Sequence, residues 1–113
     1  MGIIKSVTFY DVYLCKSRTY DSIEELQFYI SQINAYIKKY GYITLEQYSN
    51  YLGLDSSDLP HKVKKLMGFS KNYSDYDVFV LLELNEKQKE KMKADYFIIA
   101  ITYDNNYEFY PSF

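Results

Sequence analysis

A chain of 113 residues with 48% hydrophobic and 25% charged side chains has the makeup of one small globular domain, 1–113, and its four Gly and two Pro leave little room for disorder. A formal net charge of −2 is too acidic for a protein built to neutralise phosphates and too mild for one that imitates a nucleic acid. One feature of the composition is unusual: fifteen Tyr and seven Phe, with no Trp, make 19% of the chain aromatic.

Fifteen phenols exceed what one small core can satisfy, because a buried hydroxyl needs a hydrogen-bond partner. A share of them is expected at the surface, where a ring with two χ angles offers contact area at low entropic cost. Codon bias in an AT-rich genome is the competing source of the excess, and it leaves this consequence in place. Cys15 is the single cysteine, which excludes an intrachain disulfide and fits a reducing compartment. The opening MGIIKSVTFY lacks the apolar run of a signal peptide, and no apolar run approaches membrane-spanning length. The expected location is the cytoplasm of a bacterial cell, away from the membrane.

Residues 3–15, rich in β-branched and aromatic side chains, predict a strand, bent or bulged near Asp11, and Lys16 to Tyr20 predict a polar turn. Ser22-x-x-Glu25 has capping-box spacing, and Ile23, Leu26, Ile30, Ile33 and Ile37 follow on one helical stripe. Phe28, Tyr29, Tyr36 and Tyr40 widen that apolar side, and Gly41 closes a helix over 22–40. Thr44-x-x-Gln47 predicts a second helix ending at Gly53, with Leu45, Tyr48, Tyr51 and Leu52 inward. A third short helix is expected over about 57–66, with Pro60 in its first turn. Residues 69–76 read as a loop, 77–84 as a central strand, 85–94 as an exposed helix anchored by Met92, and 96–103 as a buried strand. Asp104-Asn105-Asn106 then turns into a final strand over 107–110, forming a hairpin ended by Pro111. The pattern predicts an α+β fold: a small three- or four-stranded, largely antiparallel sheet with two or three helices on one face.

Gly41-Tyr42-Ile43-Thr44 and, further on, Leu52-Gly53-Leu54 place a G-Y-[IV]-[ST] and an L-G-[LI] signature around the second helix. Over about residues 20–56 the chain resembles small accessory proteins of phages and mobile elements of Gram-positive bacteria. Those relatives usually continue with a Gly-Trp pair, where this chain has Gly68-Phe69. The resemblance implies a binding role, such as inhibition of a host protein, CRISPR nucleases and other defence components included.

Three kinds of site can be weighed from the residues. The 44–66 segment resembles a degenerate helix-turn-helix, with Ser49 four residues before Gly53 and Leu54 next; His61, Lys62, Lys64 and Lys65 would be its nucleic-acid contacts, while Asp55 and Asp58 sit where phosphates would be met. For catalysis, His61 and Cys15 fall on different elements with no local signature, and one His with one Cys cannot complete a zinc set. An unrecognised carboxylate site would draw on Asp75, Asp77, Glu83, Asp95, Asp104 and Glu108, with Glu83 needing a partner if buried; the charges over 86–93 read as a solvated helix face, and the glycines form no phosphate loop. The aromatic surface is the best candidate, with Tyr73, Tyr76, Tyr103, Tyr107, Phe109 and Tyr110 as expected partner-binding residues. The resulting expectation is a non-catalytic protein-binding domain without cofactor or metal, able to form homo-oligomers. Nucleic-acid binding and a small enzyme are the alternatives.

Overall fold

The computed structural model describes residues 5–71 and 77–101. In chain order the elements are β1 (Val7–Asp11), β2 (Lys16–Tyr20), α1 (Ile23–Tyr40), β3 (Tyr42–Thr44), α2 (Leu45–Leu52), α3 (His61–Leu66), β4 (Gly68–Ser70), β5 (Phe79–Glu83), α4 (Glu86–Met92) and β6 (Tyr96–Ala100). The fold is α+β. A four-stranded sheet has the order β2-β1-β6-β5, and β3 and β4 make a separate two-stranded sheet. The β1–β2 and β5–β6 pairings are antiparallel, and β1 runs parallel to β6.

Side-chain alternation divides the large sheet into two faces. Val7, Phe9, Phe79, Ile98 and Ala100 meet Leu26, Ile30, Ile33 and Ile37 of α1 and Tyr48 and Leu52 of α2 in the main core. Phe97 and Ile99 face the other way, into a smaller cluster with Leu84, Ala94, Val80, Leu82, Tyr10 and Met92. Three of the described helices, α1, α2 and α4, begin where their capping residues say. The Ser22 side chain accepts from Glu25 N–H, and both Thr44/Gln47 and Asn85/Gln88 form reciprocal capping boxes. Gly68 is demanded by close approach: a Cβ there would stand 2.0 Å from the Ile43 carbonyl oxygen across the β3–β4 pair.

Several expectations are corrected. Lys16 to Tyr20 is an edge strand rather than a turn, its polar exposed face having hidden it; the turn is the tighter 12–15 segment, with Cys15 at φ 56°. The 69–76 loop gives up Phe69 and Ser70 to β4, a strand of three residues too short to show a period. The helix expected from 57 starts only at His61, because Pro60 takes the position before the first turn. Among the described residues β5, expected to be central, stands at one end of the sheet. At the end of β6 the Ala100 N–H, beyond the reach of β1, donates to the Tyr13 hydroxyl at 2.8 Å; the turn and final strand of the hairpin expected to follow are not among the described residues. Residues 103–110 lie outside the described residues.

Candidate functional site

The site is built where α1 passes α2. The main core uses one stripe of α1, and the next stripe carries Tyr29, Tyr36 and Tyr40 toward the flank of α2 and the end of β2, with Phe28 further round the helix against Tyr29. The Tyr36 and Tyr40 rings, one helical turn apart, lie 4.6 Å between centroids, and Tyr36 meets Tyr51 of α2 at 6.1 Å. Gln47 Nε2 donates to the Tyr36 hydroxyl at 2.8 Å, so the residue that closes the α2 capping box also fixes a ring of the groove. At the other end Tyr29 packs on Tyr20 at 5.6 Å and on Phe28 at 5.7 Å.

Two surface cavities meet along this row. One, of about 360 Å³, is lined by Tyr36, Gln47, Asn50 and Tyr51. The other, of about 250 Å³, is lined by Arg18, Tyr20, Tyr29, Asn50, Tyr51, Leu52 and Gly53, so Asn50 and Tyr51 belong to both. Phe28 is 58% exposed and Tyr40 61% exposed, which leaves a bare ring at each end of the groove.

Arg18 holds the β2 end in place. Its guanidinium lies 5.0 Å over the Tyr20 ring and donates to the Gly53 carbonyl at 2.6 Å, and the Tyr20 hydroxyl donates to the Leu52 carbonyl. The carbonyls left over at the C-terminus of α2 thereby gain donors from β2. Burial pushes the Tyr20 phenol up to about 12, so it stays a neutral donor. Gly53 is at φ 70°, and a Cβ on it would fall 1.5 Å from Arg18 Nη1, so the cap and the guanidinium share one opening.

Tyr73, Tyr76, Tyr103, Tyr107, Phe109 and Tyr110 lie outside the described residues, as do Asp75, Asp104 and Glu108. His61, Lys62, Lys64 and Lys65 do gather on α3, but Lys65 is bound to Glu46 at 2.5 Å, and α3 has six residues with none buried. Residues 53–60 separate it from α2, longer than the three or four residues of a helix-turn-helix turn, and Lys16 pins that loop through Asp58 at 2.8 Å. Glu83 is exposed and reaches Lys89 at 3.4 Å, Asp77 pairs with Lys38 at 2.7 Å, and Asp95 accepts from the Thr8 N–H at 2.9 Å; the three do not converge. Among the described residues no three His, Cys, Asp or Glu side chains are placed to hold a metal ion. Among them, too, no helix is long and apolar enough to cross a membrane.

Two polar residues that pattern reading passes over lie in the core. Asp11 accepts from Tyr13 and Leu14 N–H, both at 3.2 Å, and from the Tyr48 hydroxyl at 3.0 Å. Burial raises its pKa to about 6, against the pull of those three donors. Tyr48, wholly enclosed, is held well above the usual phenol range by the same burial. Asn34, four residues from Ile30 and three from Ile37, stands on the apolar stripe of α1 and bonds the Phe79 backbone through both ends of its amide. Comparison with family models, with curated proteins and with solved structures finds no match.

Proposed function

We propose that this chain is a non-catalytic protein-binding domain of the bacterial cytoplasm that takes a segment of its partner into the aromatic groove between α1 and α2. The observation that carries this reading is the row of rings from Phe28 through Tyr29, Tyr51 and Tyr36 to Tyr40, bordered by two joined cavities. Rigid rings give contact area with few torsions to freeze, and their hydroxyls with Gln47 and Asn50 can bond a backbone that crosses them. The buried carboxylate offers no rival chemistry, since Asp11 has no exposed surface and its oxygens are occupied by three donors. The resemblance around Gly41–Thr44 and Leu52–Leu54 favours a host protein as partner, in the manner of a phage-type inhibitor of a defence component.

The test is an affinity pull-down of tagged protein from bacterial lysate, with and without nuclease, beside the double variant Phe28→Ser/Tyr40→Ser. Both positions are more than half exposed, so the variant folds. One stoichiometric protein retained through nuclease and lost from the double variant is the expected result. Recovery that vanishes with nuclease, or retention equal in both proteins, overturns the reading.

A further inference from the structure

The polar groups of the aromatic groove are unequally used. Most of its acceptors are taken. Gln47 Oε1 accepts from the Thr44 N–H at 3.0 Å and from the Thr44 hydroxyl at 3.2 Å. At the C-terminus of α2 the Asn50 carbonyl accepts from the Gly53 N–H at 3.2 Å. The Leu52 carbonyl accepts from the Tyr20 hydroxyl, and the Gly53 carbonyl from Arg18 at 2.6 Å. Among the described residues no carboxylate lines either cavity.

The donors are left over. The Tyr36 hydroxyl accepts from Gln47 Nε2 at 2.8 Å, which leaves its own proton to give, and Gln47 Nε2 keeps its second hydrogen. Among the described residues nothing bonds the hydroxyls of Tyr29 and Tyr51 or the side-chain amide of exposed Asn50. Against these hydrogens stands one open side-chain carbonyl, that of Asn50, besides the lone pairs of the phenols.

We propose that the groove takes a neutral, proline-rich segment of its partner in the polyproline conformation, which rests on the groove being the partner site. Each proline brings a carbonyl and no N–H, and a polyproline helix bonds none of its carbonyls internally, so such a segment arrives as a row of acceptors. An ordinary extended segment brings as many N–H groups as carbonyls, and a groove rich in donors would leave most of those N–H groups unmet. An anionic segment also brings acceptors, but the one cation lining either cavity, Arg18, is already held by the Gly53 carbonyl. The rings supply the other half of the match. Prolines pack on the flat faces of aromatic side chains, and every third residue of a polyproline helix falls on one edge. The two cavities take that edge, and the Asn50 and Tyr51 donors, which line both, meet the carbonyls between.

The test is calorimetry of the full chain with end-capped decaproline, beside a Gly-Ser peptide of equal length and decaglutamate. Decaproline is expected to bind with a Kd below about 1 mM and to shift the side-chain amide resonances of Gln47 and Asn50, and the other two to bind about tenfold more weakly or worse. Tyr51→Phe keeps the half-exposed ring and removes its hydroxyl, and is expected to weaken decaproline about three- to tenfold. Asn50→Asp turns donors into acceptors at an exposed position and is expected to weaken it about tenfold or more, with circular dichroism unchanged in both variants. No decaproline binding at about 1 mM, either control bound as tightly, or undiminished binding in either variant overturns the proposal. A lysate partner lost from Phe28→Ser/Tyr40→Ser, in a chain that ignores decaproline, overturns this choice of ligand and leaves the groove as the partner site.

Discussion

Asp11 is a carboxyl without water, and its environment gives a pH dependence of known sign. Its pKa rises from 3.8 unfolded to about 6 folded, so the folded state takes up the proton more readily. The stability it contributes is fully present below about pH 4 and is lost as pH rises through 6, on the order of 3 kcal/mol at neutral pH. The exposed acids Glu46, Asp55 and Asp58, lowered by hydrogen bonds to Lys65, to Ser57 and to Lys16, act in the opposite sense. Urea unfolding of the unaltered chain beside Asp11→Asn between pH 4.5 and 7.5 isolates the buried group. Relative to Asp11→Asn, the unaltered chain is expected to lose stability toward pH 7.5; a constant difference would refute the assignment. Gly53→Ala strains a left-handed residue and displaces Arg18, and is expected to cost about 1–2 kcal/mol by the same measurement. At this scale the sequence shows Asp11 only as a break in a strand. Nothing in the pattern marks Asn34, because a polar residue on an apolar stripe gains its meaning from a backbone 45 positions away.

Among the elements, the helices were legible because their signals are local. Caps lie within one turn and the stripe of α1 within five: the Thr44/Gln47 box and the stripe are found where spacing put them, while at Ser22 only the half in which its side chain accepts from the Glu25 N–H is made. The strands were less legible. β2 buries only Tyr20, and β3 and β4 owe their existence to each other across 24 residues or more, so neither carries a period of its own. α4 shows the limit of a local signal: its capping box is complete, yet none of its residues is buried. Asn85→Ala is expected to lose about 1 kcal/mol confined to that helix. Hydrogen exchange at Lys89 and Lys93, whose N–H groups bond the Asn85 and Lys89 carbonyls, should quicken about fivefold, with Ile98 and Ile99 unchanged. A matching change in β6 would show that α4 is coupled to the sheet.

For the whole molecule, composition announced an aromatic surface but not its place. Tyr36, Tyr40 and Phe28 read as extensions of a buried stripe, and only the approach of α2 and β2 makes them the wall of a groove. The aromatic residues expected over 73–110 lie outside the described residues, and the groove gathers residues from 18 to 53. Among the described residues Arg18 is the one cation that lines either cavity, and the Gly53 carbonyl holds it, so capture of a partner should be nearly indifferent to salt. We expect less than about a threefold change in affinity between 0.05 and 0.5 M NaCl, measured by calorimetry once the partner is in hand. A steep loss would place the contact on the α3 lysines instead.

The parallel pairing of β1 with β6 also orders events in time. Thr8 and Asp95, bonded to each other, are 87 positions apart, so the middle of the sheet is the last thing a growing chain can make. On the ribosome α1 and α2 can form early, and the β1–β2 hairpin, Ile43, Phe69 and Phe79 can reach them, but the strand that joins β1 to β5 is missing until Tyr96–Ala100 emerges. Such a non-local topology folds slowly for its size, and the nascent chain passes through a stage with Ile33, Ile37 and Phe9 uncovered, open to chaperones. A permuted chain that puts β6 directly before β1 would shorten that stage, and with it the time in which the exposed face can find the wrong neighbour.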